Sequence, residues 1–327
     1  MLLKYFNGNK LSVFITIPLL MVLCWVPVFI SSDLQPPADL APSSYLGGYL
    51  AAFNQDHPFI TAVFAIWVII ANGFLMLQLN SAHIFIATRT QMPALLYMLL
   101  CSVFAGHAIL IPALIASFLI LLMLFRVFAA YKMETLSYNL MDAGILVSVA
   151  SLFYFPAVLF YPVLLIVLSI IRPYIWREWV FTLIGLVLPY LFILAFFYLA
   201  DLDIKELGNG MQRMFLSGQV FEMNRYSLGF LAYVCFLLLL GSFYMIRAIG
   251  NIKIHARKFF ISFLWIFIGS LMIFFLVPGA GIEMMCFAAL PISFLIGYYF
   301  AHCRPNRINN LFLWLFLAGI TAVKVFG

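Results

Sequence analysis

DAGILVSVASLFYFPAVLFYPVLLIVLSIIRPYIWREWVFTLIGLVLPY, Asp142 to Tyr190, decides the fold. As one helix, Asp142 to Arg172 would be roughly 45 Å long at about 1.5 Å per residue, well beyond a hydrocarbon layer of roughly 30 Å. Two full spans do not fit into it. The stretch therefore reads as a hairpin of two short helices turning at Phe155-Pro156, where proline removes a backbone donor and pushes the preceding residue out of helical geometry. Arms this short are expected to stop below the far surface, thinning the membrane there and opening a cavity.

Working outward, 66% of the residues are hydrophobic and 9% are charged, whereas soluble domains carry about 25% charged residues. The expectation is an all-α, polytopic transmembrane bundle forming one integral membrane domain over residues 1–327, with no soluble catalytic domain. About eleven spans are expected, two pairs of them short hairpins: Leu11 to Ile30, Phe59 to Leu79, Ala94 to Ala105 with Ala108 to Phe125, the two arms of the central hairpin, Trp179 to Ala200, Tyr226 to Ile246, Phe259 to Val277, Met284 to Ala301 and Leu311 to Val323. The apolar run after the short basic amino terminus is too long for a signal peptide's core and lacks a clean small-residue cleavage site, so it reads as a retained span. Residues 31–58 and 201–225 form loops on one side, and Ser43 to Phe53 can lie as an interfacial amphipathic helix.

Charge fixes the orientation. Thirteen of the 17 basic residues, among them Lys4, Arg126, Arg172, Arg247, Lys258 and Arg307, fall on one side of this arrangement. That side is cytoplasmic by the positive-inside rule, which places the amino terminus inside and both long loops outside. The formal net charge of +6 is thereby explained without nucleic acid as a partner. Arg172, Arg177 and Glu178, set among Tyr174, Trp176 and Trp179, read as headgroup anchors on the inner side.

Walker loops, HExxH helices, GxSxG elbows and paired metal-ligand spacings are absent from the sequence, which removes support for ATP-driven transport and zinc proteolysis. The five cysteines stand apart without CxxC spacing and read as packing residues. The outer side supplies the candidates. Asp33, directly after the first span, is a candidate general base, with Asp39 as a weaker one, and Asp56-His57 is a candidate acid and proton shuttle. His107 and Tyr154 mark the two hairpin tips, with Tyr161 and Glu283 expected beside them around one cavity; an ionisable group at membrane depth is costly and therefore suggests function. Arg213 and Arg225 can grip a phosphate bidentately or pair with the acids of their own loop. No metal site is expected, and no cofactor is implied.

An acid in the first outer loop followed by an interfacial helix resembles, in outline, the GT-C superfamily of membrane glycosyltransferases. A second resemblance rests on Asp142, Ala150-Ser151-Leu152-Phe153 and Phe155, a short apolar arm, and the basic-aromatic turn Arg172 to Trp179. This pattern resembles an uncharacterised family of polytopic inner-membrane proteins of Bacteroidota, a domain of unknown function. It covers the second to seventh spans best and fades beyond Tyr226. It implies a multi-pass protein of the bacterial inner membrane and carries over no catalytic residues. The functional expectation is an envelope-biogenesis protein with a periplasm-facing cavity, in contact with membrane lipids, transferring a glycosyl group from a polyprenyl-phosphate donor with Asp33 as base. The alternatives are a transporter or flippase for a lipid-linked or amphipathic substrate, and a non-catalytic subunit docked on an envelope protein partner.

Overall fold

Proline 156 ends one helix and begins the return of another. In the computed structural model, α7 runs Tyr138–Phe153, a 3-10 turn covers Phe155–Leu159 and α8 takes Phe160–Ile171. The structure describes residues 2–6, 11–30, 44–83, 86, 90–104, 111–132, 138–202, 224–248, 250, 254–303 and 306–326. Around the hairpin stand α1 (Leu2–Phe6), α2 (Leu11–Ile30), α3 (Tyr45–Asp56), α4 (Pro58–His83), α5 (Met92–Phe104), α6 (Ile111–Ala129), α9 (Trp176–Leu199), α10 (Arg225–Ala248), α11 (Ile254–Leu276), α12 (Met285–His302) and α13 (Arg307–Phe326). There is no strand among the described residues.

Each expected span contains a helix among its described residues. Stretches of α4, α6, α9, α10, α11 and α12 are long and apolar enough to cross a membrane, while those of α2, α5, α7 and α8 are shorter. The 13 residues of α5 and 12 of α8 make arms roughly 20 and 18 Å long, so each expected hairpin has a short arm, while α6 is long enough to cross a membrane. Two boundaries differ from expectation. Helix α13 starts at Arg307 rather than Leu311, because Asn310 donates to the Asn306 carbonyl through both its backbone N–H (3.1 Å) and its side chain (3.2 Å). Helix α7 likewise begins at Tyr138, ahead of Asp142, where the hairpin was expected to start. Hydropathy does not register a polar first turn.

At the centre stands α12, buried on every face from Cys286 to Tyr298, as a helix apolar all round must be. Helix α5 packs against it closely: a Cβ on Gly297 would lie 2.9 Å from the Pro93 ring. At the periphery α9 turns Leu191, Phe192, Phe196 and Leu199 outward, a surface suited to lipid.

The central hairpin is held to α9 by backbone contact. A Cβ on Gly144 would sit 2.1 Å from the Thr182 carbonyl oxygen, and one on Gly185 would sit 2.2 Å from that of Met141. Small residues that let two membrane helices touch are a recurrent device. Here they face each other across one crossing. Ser151 shares a hydrogen bond with the Tyr190 hydroxyl, and the Tyr161 hydroxyl meets Thr182 Oγ1 at 3.3 Å.

At the end of the hairpin that leads into α9, Arg172 and Glu178 form an ion pair at 2.8 Å with side chains 9% and 2% exposed. The sequence reading of both as headgroup anchors is thus incomplete. Tyr174 and Trp176 are exposed as a belt residue should be, but the arginine and the glutamate turn toward each other under the connection. The Lys258 amine donates to the Ile171 carbonyl at 3.0 Å and caps the end of α8.

Candidate functional site

The Pro156 tip of the central hairpin is roofed. Ser44 caps α3, accepting from the Gly47 N–H at 3.2 Å, and its hydroxyl donates to the Phe153 carbonyl. The start of α3 is thereby tied down beside Tyr154. That residue is extended (φ −138°, ψ 100°) as the cap of the 3-10 turn Phe155–Leu159. Its side chain points inward, 1% exposed, and stacks on Phe287 of α12 with ring centres 5.8 Å apart. Phe287 stacks in turn on Phe160 of α8 at 5.2 Å.

Glu283 reaches the same place from another direction. It sits in the 3-10 turn Ile282–Met284 between α11 and α12 and is 6% exposed. The Tyr154 hydroxyl lies beside its carboxyl, yet meets no acceptor in hydrogen-bond geometry. The Cys286 thiol adjoins both Glu283 and the Cys101 thiol of α5, and all five cysteines are free. Burial lifts the Glu283 pKa from 4.5 to about 7, and the Tyr154 hydroxyl pulls it partly back.

This shift has a consequence for stability. Between pH 4.5 and about 7 the native state holds more protons than the unfolded one, so Glu283 makes stability fall as pH rises through that window. The total is about 3 kcal/mol for a shift of this size. Thermal unfolding of the detergent-solubilised protein should therefore show Glu283→Gln gaining on the wild type as pH rises, and leading it above about pH 7.

The other sequence candidates scatter. Asp56 and His57 form the exposed corner between α3 and α4, the imidazole resting on Phe53 with ring centres 5.2 Å apart. Arg225 opens α10 as an exposed residue. Tyr161 is engaged by Thr182 and faces α9. Asp33, Asp39, His107 and Arg213 lie outside the described residues. Among the described residues, no three His, Cys, Asp or Glu side chains gather to hold a metal ion.

Sequence reasoning missed Ser44, the Cys101 and Cys286 neighbours, and Lys324. Ser44 carried a signal, a serine ahead of a helix being a favoured cap. The cysteines carried none. Lys324, near the end of α13, donates to the Cys24 carbonyl at 2.7 Å and lies 5.1 Å from the centre of the Trp25 ring, binding α13 to α2. Trp25 in turn donates to Ser102 of α5 at 3.3 Å.

No curated protein and no solved structure matches this chain. A family does: over residues 45–326, from the first residue of α3 to the end of α13, the chain matches and belongs to a family of unknown function, DUF6427.

Proposed function

We propose that this is an inner-membrane protein of the cell envelope that takes up an amphipathic, lipid-linked substrate at its outer end, with Glu283 as the proton-dependent binding group. The supporting observation is Glu283 itself, a buried carboxyl with no basic partner among the described residues. Carboxyls in apolar surroundings are expensive and are kept at substrate and proton paths. When protonated, Glu283 and the Tyr154 hydroxyl offer two donors side by side, which suits the oxygens of a phosphate or sugar head. The Phe160 and Phe287 rings beside them suit an apolar tail. Binding and translocation use this pair directly, so a carrier or flippase is the version we favour.

A GT-C-like transferase is the second reading. It is favoured by one contact: the Ser44 bond to Phe153 anchors the far end of the loop that carries Asp33 next to Tyr154. In this version Asp33 serves as base and Arg213 or Arg225 holds phosphate.

The test is lipid mass spectrometry of the protein purified from native membranes on either side of about pH 7. The expected result is a lipid-linked species enriched over bulk phospholipid at the lower pH, and lost in Glu283→Leu and Tyr154→Phe. Bulk phospholipid alone, or the same species in all three proteins, would reject the proposal. Replacement of Asp33 by Asn that leaves the bound species unchanged but stops its turnover would select the transferase.

A further inference from the structure

We propose that the seam where α4, α5 and α12 meet is a binding site for water, held in the middle and at the inner end of the bundle by the side-chain amides of Asn72 and Gln91. Asn72 lies near the middle of α4 and is 0% exposed; Gln91 stands at the start of α5 and is 3% exposed. Neither the amide oxygen nor the amide nitrogen of either residue has a hydrogen-bond partner. A buried polar group left unpaired costs about 1–3 kcal/mol. Four such atoms would cancel much of a typical stability of about 5–15 kcal/mol.

The neighbours of Asn72 place it at the seam. The next residue, Gly73, seats against Met98 of α5, where an added Cβ would be 2.1 Å from the methyl carbon. One turn along the same face of α4, Met76 meets the Ser293 hydroxyl of α12 at 4.0 Å. Residues at i and i+4 share a helix face, so Asn72 shares the surface that looks toward α12. Gln91 is two residues ahead of Pro93, which packs on Gly297 of α12. Along α12, Cys286, Ala289, Ser293 and Gly297 recur at helical spacing, all small and all buried.

The chemistry of the amides selects the guest. Each presents a donor and an acceptor, so the guest must supply both; water does, whereas a metal ion only accepts lone pairs and a fully ionised anion only accepts hydrogen bonds. The Gly297–Pro93 contact leaves no width for a bulky solute at that level. A buried water typically makes about three hydrogen bonds to groups otherwise unsatisfied, and these amides are such groups. If Glu283 acts as proposed above, and this clause rests on that reading, bound water inward of it gives its proton a route from the inner side.

The test is X-ray hydroxyl-radical footprinting of the full chain in detergent, with oxidation of each methionine read by mass spectrometry. Radicals form from bound water as well as bulk water, so Met76 and Met98, 0% and 1% exposed, become reporters of the seam, and Met123 of α6, also 1% exposed, is the dry reference. Met76 and Met98 are expected to oxidise several-fold faster than Met123, and to slow to its rate in Asn72→Leu. Equal rates for all three in the wild type would overturn the proposal without recourse to any variant, and so would unchanged Met76 and Met98 rates in a folded Asn72→Leu protein. These rates do not involve Glu283, so the water site and the substrate site stand or fall separately.

Discussion

Gly185→Leu should leave no assembled protein. The atoms that a side chain at this position would strike are the Met141 carbonyl oxygen and the Ile145 nitrogen, at 2.2 and 3.1 Å for the Cβ alone. Both are backbone, so no rotamer change relieves the clash, and α7 must move off α9. Overpacking a core typically costs about 1–3 kcal/mol; separating the two helices also breaks the bond of Tyr190 to Ser151, so a larger loss is expected. Even Gly185→Ala should lower the thermal midpoint in detergent clearly, whereas Gly229→Ala, where an added Cβ meets nothing within 4 Å, should leave it in place.

Arg172→Leu should cost about 3 kcal/mol, at the low end of the range for breaking a buried pair. It strands the Glu178 carboxyl, which is 2% exposed. The low end applies because residues 173–177 around the pair are all exposed, leaving only a thin cover. The double variant Arg172→Leu with Glu178→Leu should recover most of the loss, since paired charges under cover contribute little net stability. Denaturation of both variants beside the wild type measures this. A double variant as unstable as the single one would mean that the arginine acts through contacts other than Glu178.

Residues that announce geometry locally made the fold legible. Pro156 could be read as the turn of the central hairpin because its ring and missing N–H act within a few residues, and the arm lengths followed from counting. The start of α13 differs from the expected Leu311 because Arg307 to Asn310 are polar and yet helical, a state set by hydrogen bonds that hydropathy does not contain. The site was legible in part. Tyr154 and Glu283 were both placed at the outer ends of their segments by topology alone, and they meet there. Tyr161 was grouped with them by nearness in sequence, but a 3-10 turn intervenes and carries it round to Thr182 on α9. Cys101 and Cys286 stand far apart in the chain, so no spacing could have paired them. Asn72, one amide in a long apolar run, looks in sequence like any tolerated polar residue; only its unpaired atoms in the folded core mark it out.

The roof over Tyr154 changes how the short hairpins work. The sequence suggested an open dent; instead, Ser44 holds the start of α3 against the tip and Tyr154 is buried beneath it. On the proposed function, entry of a substrate head requires the Ser44 to Phe153 contact to open, and Ser44→Ala should ease access at the cost of the α3 cap, about 1 kcal/mol for such a residue.

The account depends on a neutral carboxyl kept at the outer end of the bundle, and infrared titration reads that group without knowledge of any substrate. The wild type in detergent should show a protonated-carboxyl band that disappears with a midpoint of about 7, and Glu283→Gln should lack it. A wild-type band lost in the ordinary carboxylate range, or one that persists unchanged in Glu283→Gln, would contradict the assignment of Glu283 as the titrating centre of the site.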